Sequence, residues 1–134
     1  MTARVIEIAT RTDHRGSLSV IEAPRDCPFP IARMFYLHGA PAGATRGQHA
    51  HRELEQFIIV VNGQIDVGID DGTTSEEFVL QSPTMGLYVP PLHWTRLSNF
   101  SANAVGIVLA SAPFDEADYI LTYAEFEEIT RGRR

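Results

Sequence analysis

Turn signals punctuate this chain every few residues, and the apolar residues between them alternate instead of recurring at helical spacing. The strongest signal is Asn62-Gly63. It closes an extended stretch over residues 49–61 and opens an alternating one over 64–70, which is the pattern of a β-hairpin. Asp13-His14-Arg15-Gly16 and Asp70-Asp71-Gly72 mark further tight turns, and three prolines between Pro24 and Pro30 break regular structure. Strands are expected over residues 4–9, 17–22, 31–38, 77–80, 86–89, 94–98 and 104–110, with Phe35 and Tyr36 on opposite faces of theirs. Only residues 116–129 look helical, with 118–123 mixed in character, and the tail Arg131-Gly132-Arg133-Arg134 reads as frayed. Many short strands and little helix imply an all-β fold: a small antiparallel barrel or jelly roll with a short C-terminal helical segment.

The length of 134 residues suits one domain spanning 1–134. A hydrophobic share of 44% with 21% charged residues is that of a folded chain, not a disordered one. The net charge of -6 disfavours nucleic acid as a partner but leaves room for a local basic pocket that binds an anion. The longest apolar stretches, residues 57–61 and 105–110, are too short to cross a bilayer, and Met1-Thr2-Ala3-Arg4 is not an apolar leader. The single cysteine, Cys27, cannot form an intrachain disulfide, which fits a reducing compartment. The expectation is a cytoplasmic protein with no membrane partner.

Chemistry concentrates in Arg46-Gly47-Gln48-His49-Ala50-His51 and the following Gln56. Two histidines separated by one residue on an extended segment share a face. Such a pair can move protons near neutral pH or hold a metal. In the cupin class of jelly rolls the metal signature is Gly, five residues, His-x-His, three or four residues, Glu, then six residues to Gly. This chain follows it through Gly43, His49, His51 and Gly63, and counting back from Gly63 puts Gln56 at the glutamate position. Glu55 is adjacent, but one residue along a strand is the opposite face. A neutral amide is a poor ligand for a divalent ion. His93 is a third candidate ligand, in a stretch shorter than the usual second motif. The pattern disfavours a metal, and no other cofactor is indicated. A His-x-His pair can also be a surface or core feature, but Arg46 beside it argues for a pocket.

Other residues carry two readings. Arg15 is a turn residue or an anion contact, and Arg33 in an apolar strand needs a partner or solvent. Tyr36 is core or offers a hydroxyl to a ligand. Trp94 is a core or interface aromatic, or a stacking platform for substrate. Asp115, Glu116 and Asp118 are most simply an acidic cluster at a helix N-terminus, and Glu125, Glu127 and Glu128 a solvated face.

Taken in order, the segments resemble the sugar nucleotide 3,4-ketoisomerases, a metal-free branch of the cupin fold. The matching pieces are Arg15-Gly16-Ser17-Leu18, Glu22, Pro28-Phe29, Arg33 with Tyr36, Arg46-Gly47 with His49-Ala50-His51, Gln56, Asp70-Asp71-Gly72, Gly86-Leu87, Trp94, and Ser111 with Asp115-Glu116-Ala117-Asp118-Tyr119-Ile120. Phe35, where a second aromatic hydroxyl would stand, and Thr95, where a basic residue is usual, depart from the pattern. The resemblance implies an isomerase that converts dTDP-4-keto-6-deoxy-glucose to a dTDP-3-keto-6-deoxy-hexose in deoxyamino-sugar biosynthesis, and a homodimer that exchanges an N-terminal strand. On that footing His49 and His51 are catalytic. Arg15, Arg33, Tyr36, Arg46, Gln56 and Trp94 are substrate-binding, the arginines for the diphosphate or a developing oxyanion. Which imidazole is base and which acid is not fixed by sequence. The rivals are a metal-dependent cupin oxygenase using His49, His51 and His93, a non-catalytic sugar-nucleotide-binding domain, and an epimerase of the same barrel. An epimerase would be expected to carry a His-Asp dyad and a catalytic Tyr, and the dyad is not placed by the sequence.

Overall fold

The chain turns at Asn62-Gly63, where Gly63 has φ +74, but the turn does not close the expected hairpin: β6 (Gln56–Asn62) and β7 (Ile65–Asp70) do not pair with each other and belong to two different sheets, so the glycine marks a crossing between sheets. The computed structural model describes residues 2–132. Before this turn come β1 (Arg4–Glu7), β2 (Ala9–Asp13), β3 (Gly16–Val20), β4 (Arg33–Leu37) and β5 (Arg46–His51). After it come β8 (Ser75–Leu80), β9 (Met85–Val89), β10 (Trp94–Ser98), β11 (Val105–Ala110), β12 (Tyr119–Ile120) and one helix, α1 (Tyr123–Arg131). One sheet has the order β1-β9-β6-β11-β4 and the other β12-β5-β10-β7-β8, while β2 and β3 form a separate hairpin. All pairings are antiparallel. This is the jelly roll of the cupin fold.

Alternation builds the core. Ile65, Val67 and Ile69 of β7 point to the inner face and meet Ile58, Val60, Leu87 and Val108 of the opposite sheet, all buried. Each such side chain stabilises the fold by roughly 1.5–3 kcal/mol when fully removed from water. The outer face of the first sheet is covered in part by the chain between β3 and β4: Cys27 and Phe29 pack with Ile8 on Phe57, Ile59, Tyr88 and Leu109. The outer face of the second sheet lies under α1, where Phe126 packs with Ala50 and Ile120. The Thr122 side chain caps this helix by accepting from the Glu125 amide at 3.2 Å.

Three further segments differ from the sequence expectation. Residues 4–9 are not one strand. The chain crosses at the buried Ile8, whose amide donates to the Thr84 carbonyl at 2.8 Å, so β1 joins a sheet and β2 leaves for the hairpin. Residues 49–61 are broken at 52–55, where backbone amides turn toward Asp118 instead of a neighbouring strand. Residues 116–129 are a 3₁₀ turn, Glu116–Asp118, then β12 on the edge of β5, and only then α1. Arg131 closes α1 and Gly132 donates back to the Glu128 carbonyl, so neither is frayed; Arg133 and Arg134 of the expected frayed tail, and Met1, lie outside the described residues. Among the described residues no helix is long and apolar enough to cross a membrane.

Gly86 has a packing role. It lies diagonal to Phe57 across the β6–β9 pairing, and an added methyl would run into the Phe57 ring. Gly86→Ala is expected to lose about 1–3 kcal/mol of stability in urea unfolding, the usual cost of overfilling a packed layer; a stability equal to that of the parent would contradict this packing.

Candidate active site

The site starts from an irregularity in β5. Arg46 and His49 are three residues apart, which in a regular strand puts them on opposite faces. Gly47, with φ +65, allows a bulge: Leu97 pairs with Arg46 and Thr95 with His49, so β5 spends one residue more than β10. Both Arg46 and His49 therefore line the same cavity of about 180 Å³ between the sheets. Phe35, Leu37, Ile58 and Val108 form its apolar wall. Gln56 and Thr95 add polar groups, and Tyr119 stands where this cavity meets a smaller one.

His51 lies two residues beyond His49 and is 5% exposed. The two rings stand edge to face with centroids 4.9 Å apart. The Tyr119 ring is 5.0 Å from His49 and 4.4 Å from His51 and so touches both. His51 lines the smaller cavity, about 90 Å³, together with Arg33, Ser111 and Asp118. Its Nδ1 is 3.1 Å from Asp118 Oδ2, and its Nε2 is buried with no bonding partner among the described residues. The Arg33 Nε is buried and unbonded in the same way, while its guanidinium lies 5.4 Å from the Phe35 ring centre.

Burial, with a smaller contribution from the charge of His51, pushes His49 down to about 4. His51 is also lowered: burial dominates, the Asp118 carboxylate opposes it, and the charge of Arg33 adds to the lowering. Both imidazoles are therefore neutral at pH 7, each with one nitrogen able to accept a proton and one able to donate.

The strand-phase argument for the metal position holds. Gln56 faces the cavity, whereas Glu55 faces away and accepts from the Tyr88 hydroxyl at 2.6 Å. His93 lines neither cavity; its Nδ1 is 2.9 Å from the Pro91 carbonyl. Among the described residues no group of three or more His, Cys, Asp or Glu is placed to hold a metal ion.

Of the expected site residues, the structure brings together His49, His51, Arg33, Arg46 and Gln56. Within one chain it does not bring in Arg15, Tyr36 or Trp94. Arg15 sits at the tip of the β2–β3 hairpin, paired with Asp13 at 2.7 Å. Tyr36 is the outward member of the alternation that turns Phe35 inward; it is 59% exposed and stacks on His38. Trp94 is likewise the outward neighbour of Thr95, and it packs under α1 against Tyr123 and Phe126 at 5.5 and 5.9 Å. Its place in this chain is that of a packing aromatic.

Two residues at the site escaped the sequence reading. Asp118 is not part of an exposed helix N-terminus but a partner of His51, and Tyr119 follows it on β12, paired in register with His51. The available signal was Tyr119-Ile120-Leu121, a short apolar run inside the apparent helix that fits an edge strand.

The chain has close relatives of known kind. The model of the family described as "FdtA: WxcM-like, C-terminal" matches residues 1–131. A TDP-4-oxo-6-deoxy-alpha-D-glucose-3,4-oxoisomerase from Aneurinibacillus thermoaerophilus is 41% identical over 128 residues, covering 96% of this chain and 92% of the relative. Among solved structures, the 3,4-ketoisomerase QdtA from Thermoanaerobacterium thermosaccharolyticum, as a histidine-to-asparagine variant in complex with TDP-4-keto-6-deoxyglucose, superposes with a TM-score of 0.96 at 32% identity, covering 98% of this chain and 96% of that one. A 3,4-ketoisomerase from Helicobacter canadensis gives 0.94 at 34% identity, with 98% of both chains covered. With family, sequence and backbone in agreement over nearly the whole length, the chain belongs to the FdtA-like family of sugar 3,4-ketoisomerases.

Proposed function

We propose that this chain converts dTDP-4-keto-6-deoxy-glucose to a dTDP-3-keto-6-deoxy-hexose by acid-base proton transfer, on a route to deoxyamino sugars in the cytoplasm, with residues 1–134 working as one domain. The observation that carries the reading is the pair of neutral imidazoles 4.9 Å apart, His49 on the larger cavity and the buried His51 on the smaller one, with Tyr119 lining both. The names of the relatives support the substrate, and so does the histidine-to-asparagine QdtA variant that holds TDP-4-keto-6-deoxyglucose.

Moving the ketone needs no net redox change. His51 takes the proton from carbon-3, the C–H electrons become the C3–C4 double bond, and the carbonyl oxygen at carbon-4 gains a proton. The resulting enediol then loses the proton of its carbon-3 hydroxyl, the new carbonyl forms there, and carbon-4 receives a proton. His51 is assigned as the base because the Asp118 carboxylate works against the lowering by burial, whereas among the described residues no carboxylate faces His49. His49 is the partner that shuttles protons between oxygens or to carbon-4. Gln56 bonds a sugar oxygen, and Arg33 and Arg46 meet the developing oxyanion or the diphosphate. Because Gln56 stands where a carboxylate would complete a metal site, the chemistry falls to these side chains.

The β2–β3 hairpin supports a homodimer with an exchanged N-terminal segment. Among the described residues its strands pair only with each other, and Leu18 is 59% exposed. An isolated two-stranded hairpin is marginal in water. Seated on a second copy, it would bury Leu18 and Val20 and carry Arg15 to the other cavity. Sedimentation should give twice the mass of one chain, and a monomer at micromolar concentration would remove this part of the reading.

An NMR spectrum of the product formed from dTDP-4-keto-6-deoxy-glucose by chelator-treated enzyme tests the reaction: a 3-keto product is expected, and unreacted substrate, or turnover restored only by added metal, would refute it. His49→Asn and His51→Asn should each lower kcat roughly 10²-fold or more, as for general acid-base residues; full activity in the double variant would overturn the assignment. The pH profile follows from the direction of both shifts. A depressed pKa keeps the base unprotonated to lower pH, so the acid limb of kcat/KM should fall below the ordinary histidine value of about 6.5. A limb at or above that value would show an imidazole stabilised in its charged form.

A further inference from the structure

The Asp118 side chain is 14% exposed, and two backbone amides and one imidazole nitrogen converge on its carboxylate. Oδ1 accepts from the Glu53 amide at 2.8 Å; Oδ2 accepts from the Leu54 amide at 3.2 Å and lies 3.1 Å from His51 Nδ1. The two amides belong to the turn that follows His51 directly, so the turn aims the carboxylate at the ring next door. The segment bearing Asp118 is fixed too. The Arg52 amide donates to the Asp118 carbonyl at 2.9 Å, and the Arg52 guanidinium bonds the Tyr119 carbonyl and the Glu125 carboxylate. An exposed acidic cluster at a helix start would need none of this.

We propose that Asp118 is the positioning residue of the isomerase, holding His51 as the Nδ1–H tautomer so that its buried, unbonded Nε2 carries the free lone pair. The inference rests on the reading of His51 as the base. A carboxylate is an acceptor only, so the proton on the shared edge belongs to Nδ1. A neutral imidazole carries one ring proton, and Nε2 is left bare. The Tyr119 ring at 4.4 Å and the His49 ring at 4.9 Å restrict rotation of the imidazole about its own axis, so the tautomer fixes a direction as well as a charge state. When Nε2 takes the substrate proton, the imidazolium formed is stabilised by the carboxylate on its other edge. Asp118 thereby acts on the substrate through His51 without touching it.

The residues on the C-terminal edge of β5 are thus divided. His49 has cavity, Thr95 and Gln56 around it and no carboxylate partner, while His51 is orientated by one. Ionisable and charged groups that face His51 are His49 from β5, Arg33 from β4, Asp118 and Tyr119 from the C-terminal segment, and Glu53 and Asp115 at the rim of the small cavity.

The test is the ring ¹⁵N spectrum of histidine-labelled protein, read beside kinetics. In the parent, the His51 signals should show a protonated Nδ1 and a bare Nε2 through the neutral range. Asp118→Asn keeps an acceptor for the turn amides but can bond either tautomer, so an Nε2–H population should appear. kcat should fall roughly 10²–10⁴-fold, with KM changed by only a few fold. Removing the carboxylate also removes an upward pull on the ring, so the acid limb of the pH profile should move lower in this variant. Asp118→Glu should recover part of both the tautomer and the rate. An unchanged His51 tautomer in Asp118→Asn overturns the proposal, as does a lost tautomer with full kcat. Since the spectrum needs no substrate, a parent that fails to turn over dTDP-4-keto-6-deoxy-glucose would sink the proposed reaction while the tautomer test still decides the role of Asp118.

Discussion

Histidine in water changes charge near pH 6.5, and a proton-transfer site gains nothing from two imidazoles that both sit charged and repel each other. Inside this barrel the question is settled by burial. Taking both rings out of water disfavours the charged form of each, and their proximity adds to the effect at His49. The result is a neutral pair at physiological pH, ready to accept from one side and donate from the other. Everything around the pair serves that state. The inner faces of two sheets exclude solvent, Tyr119 lies against both rings, and Asp118 pulls only His51 back toward higher basicity. The asymmetry between the rings comes from one carboxylate.

Strand phase determines which residues reach the pair. Phe35 is in and Tyr36 out; Thr95 is in and Trp94 out; Gln56 is in and Glu55 out. Much of this was legible in the sequence, because period-two alternation and turn residues are local properties. The opposite faces of Phe35 and Tyr36 follow from that rule, and the choice of Gln56 over Glu55 from that rule together with the spacing back from Gly63. Tyr36 and Trp94, expected to bind substrate, stand on the outward places within one chain because Phe35 and Thr95 hold the inward ones. The Gly47 bulge is the one break in phase at the site, and a glycine between Arg46 and His49 is a visible sign of it only once the pairing with β10 is known. Register across strands is not a local property.

The C-terminal segment shows the limit more clearly. Asp118 and His51 are 67 residues apart, and nothing in local propensity distinguishes an acidic residue that caps a helix from one that turns inward to a histidine. Asp115 does serve as a cap, accepting from the Ala117 amide at 3.1 Å. Three residues on, the chain stops being helical because Tyr119 and Ile120 find the open edge of β5, and a strand edge offers backbone bonds that a short helix cannot match. Tertiary pairing overrode the acidic, helix-like composition of 115–118. The fold class is unaffected because only a few residues changed class; the partner of His51 went unseen because one of those residues is Asp118.

The one-residue offset between Glu55 and Gln56 has a chemical consequence that reaches beyond packing. A carboxylate turned into the cavity at position 56 would face the imidazoles, raise their pKa and complete a set of ligands that a divalent ion can use. An amide there donates and accepts hydrogen bonds without doing either. Glu55 is kept on the far side of the strand, held by the Tyr88 hydroxyl and by its own amide bond to Ser111 Oγ at 2.9 Å. The negative charge of the site is thereby confined to Asp118 and its neighbours on the small cavity, while the large one presents Arg46 and neutral groups. In a chain of net charge -6, that separation leaves the larger cavity lined by a cation and neutral groups, the arrangement an anionic ligand requires, while the carboxylates gather on the smaller one.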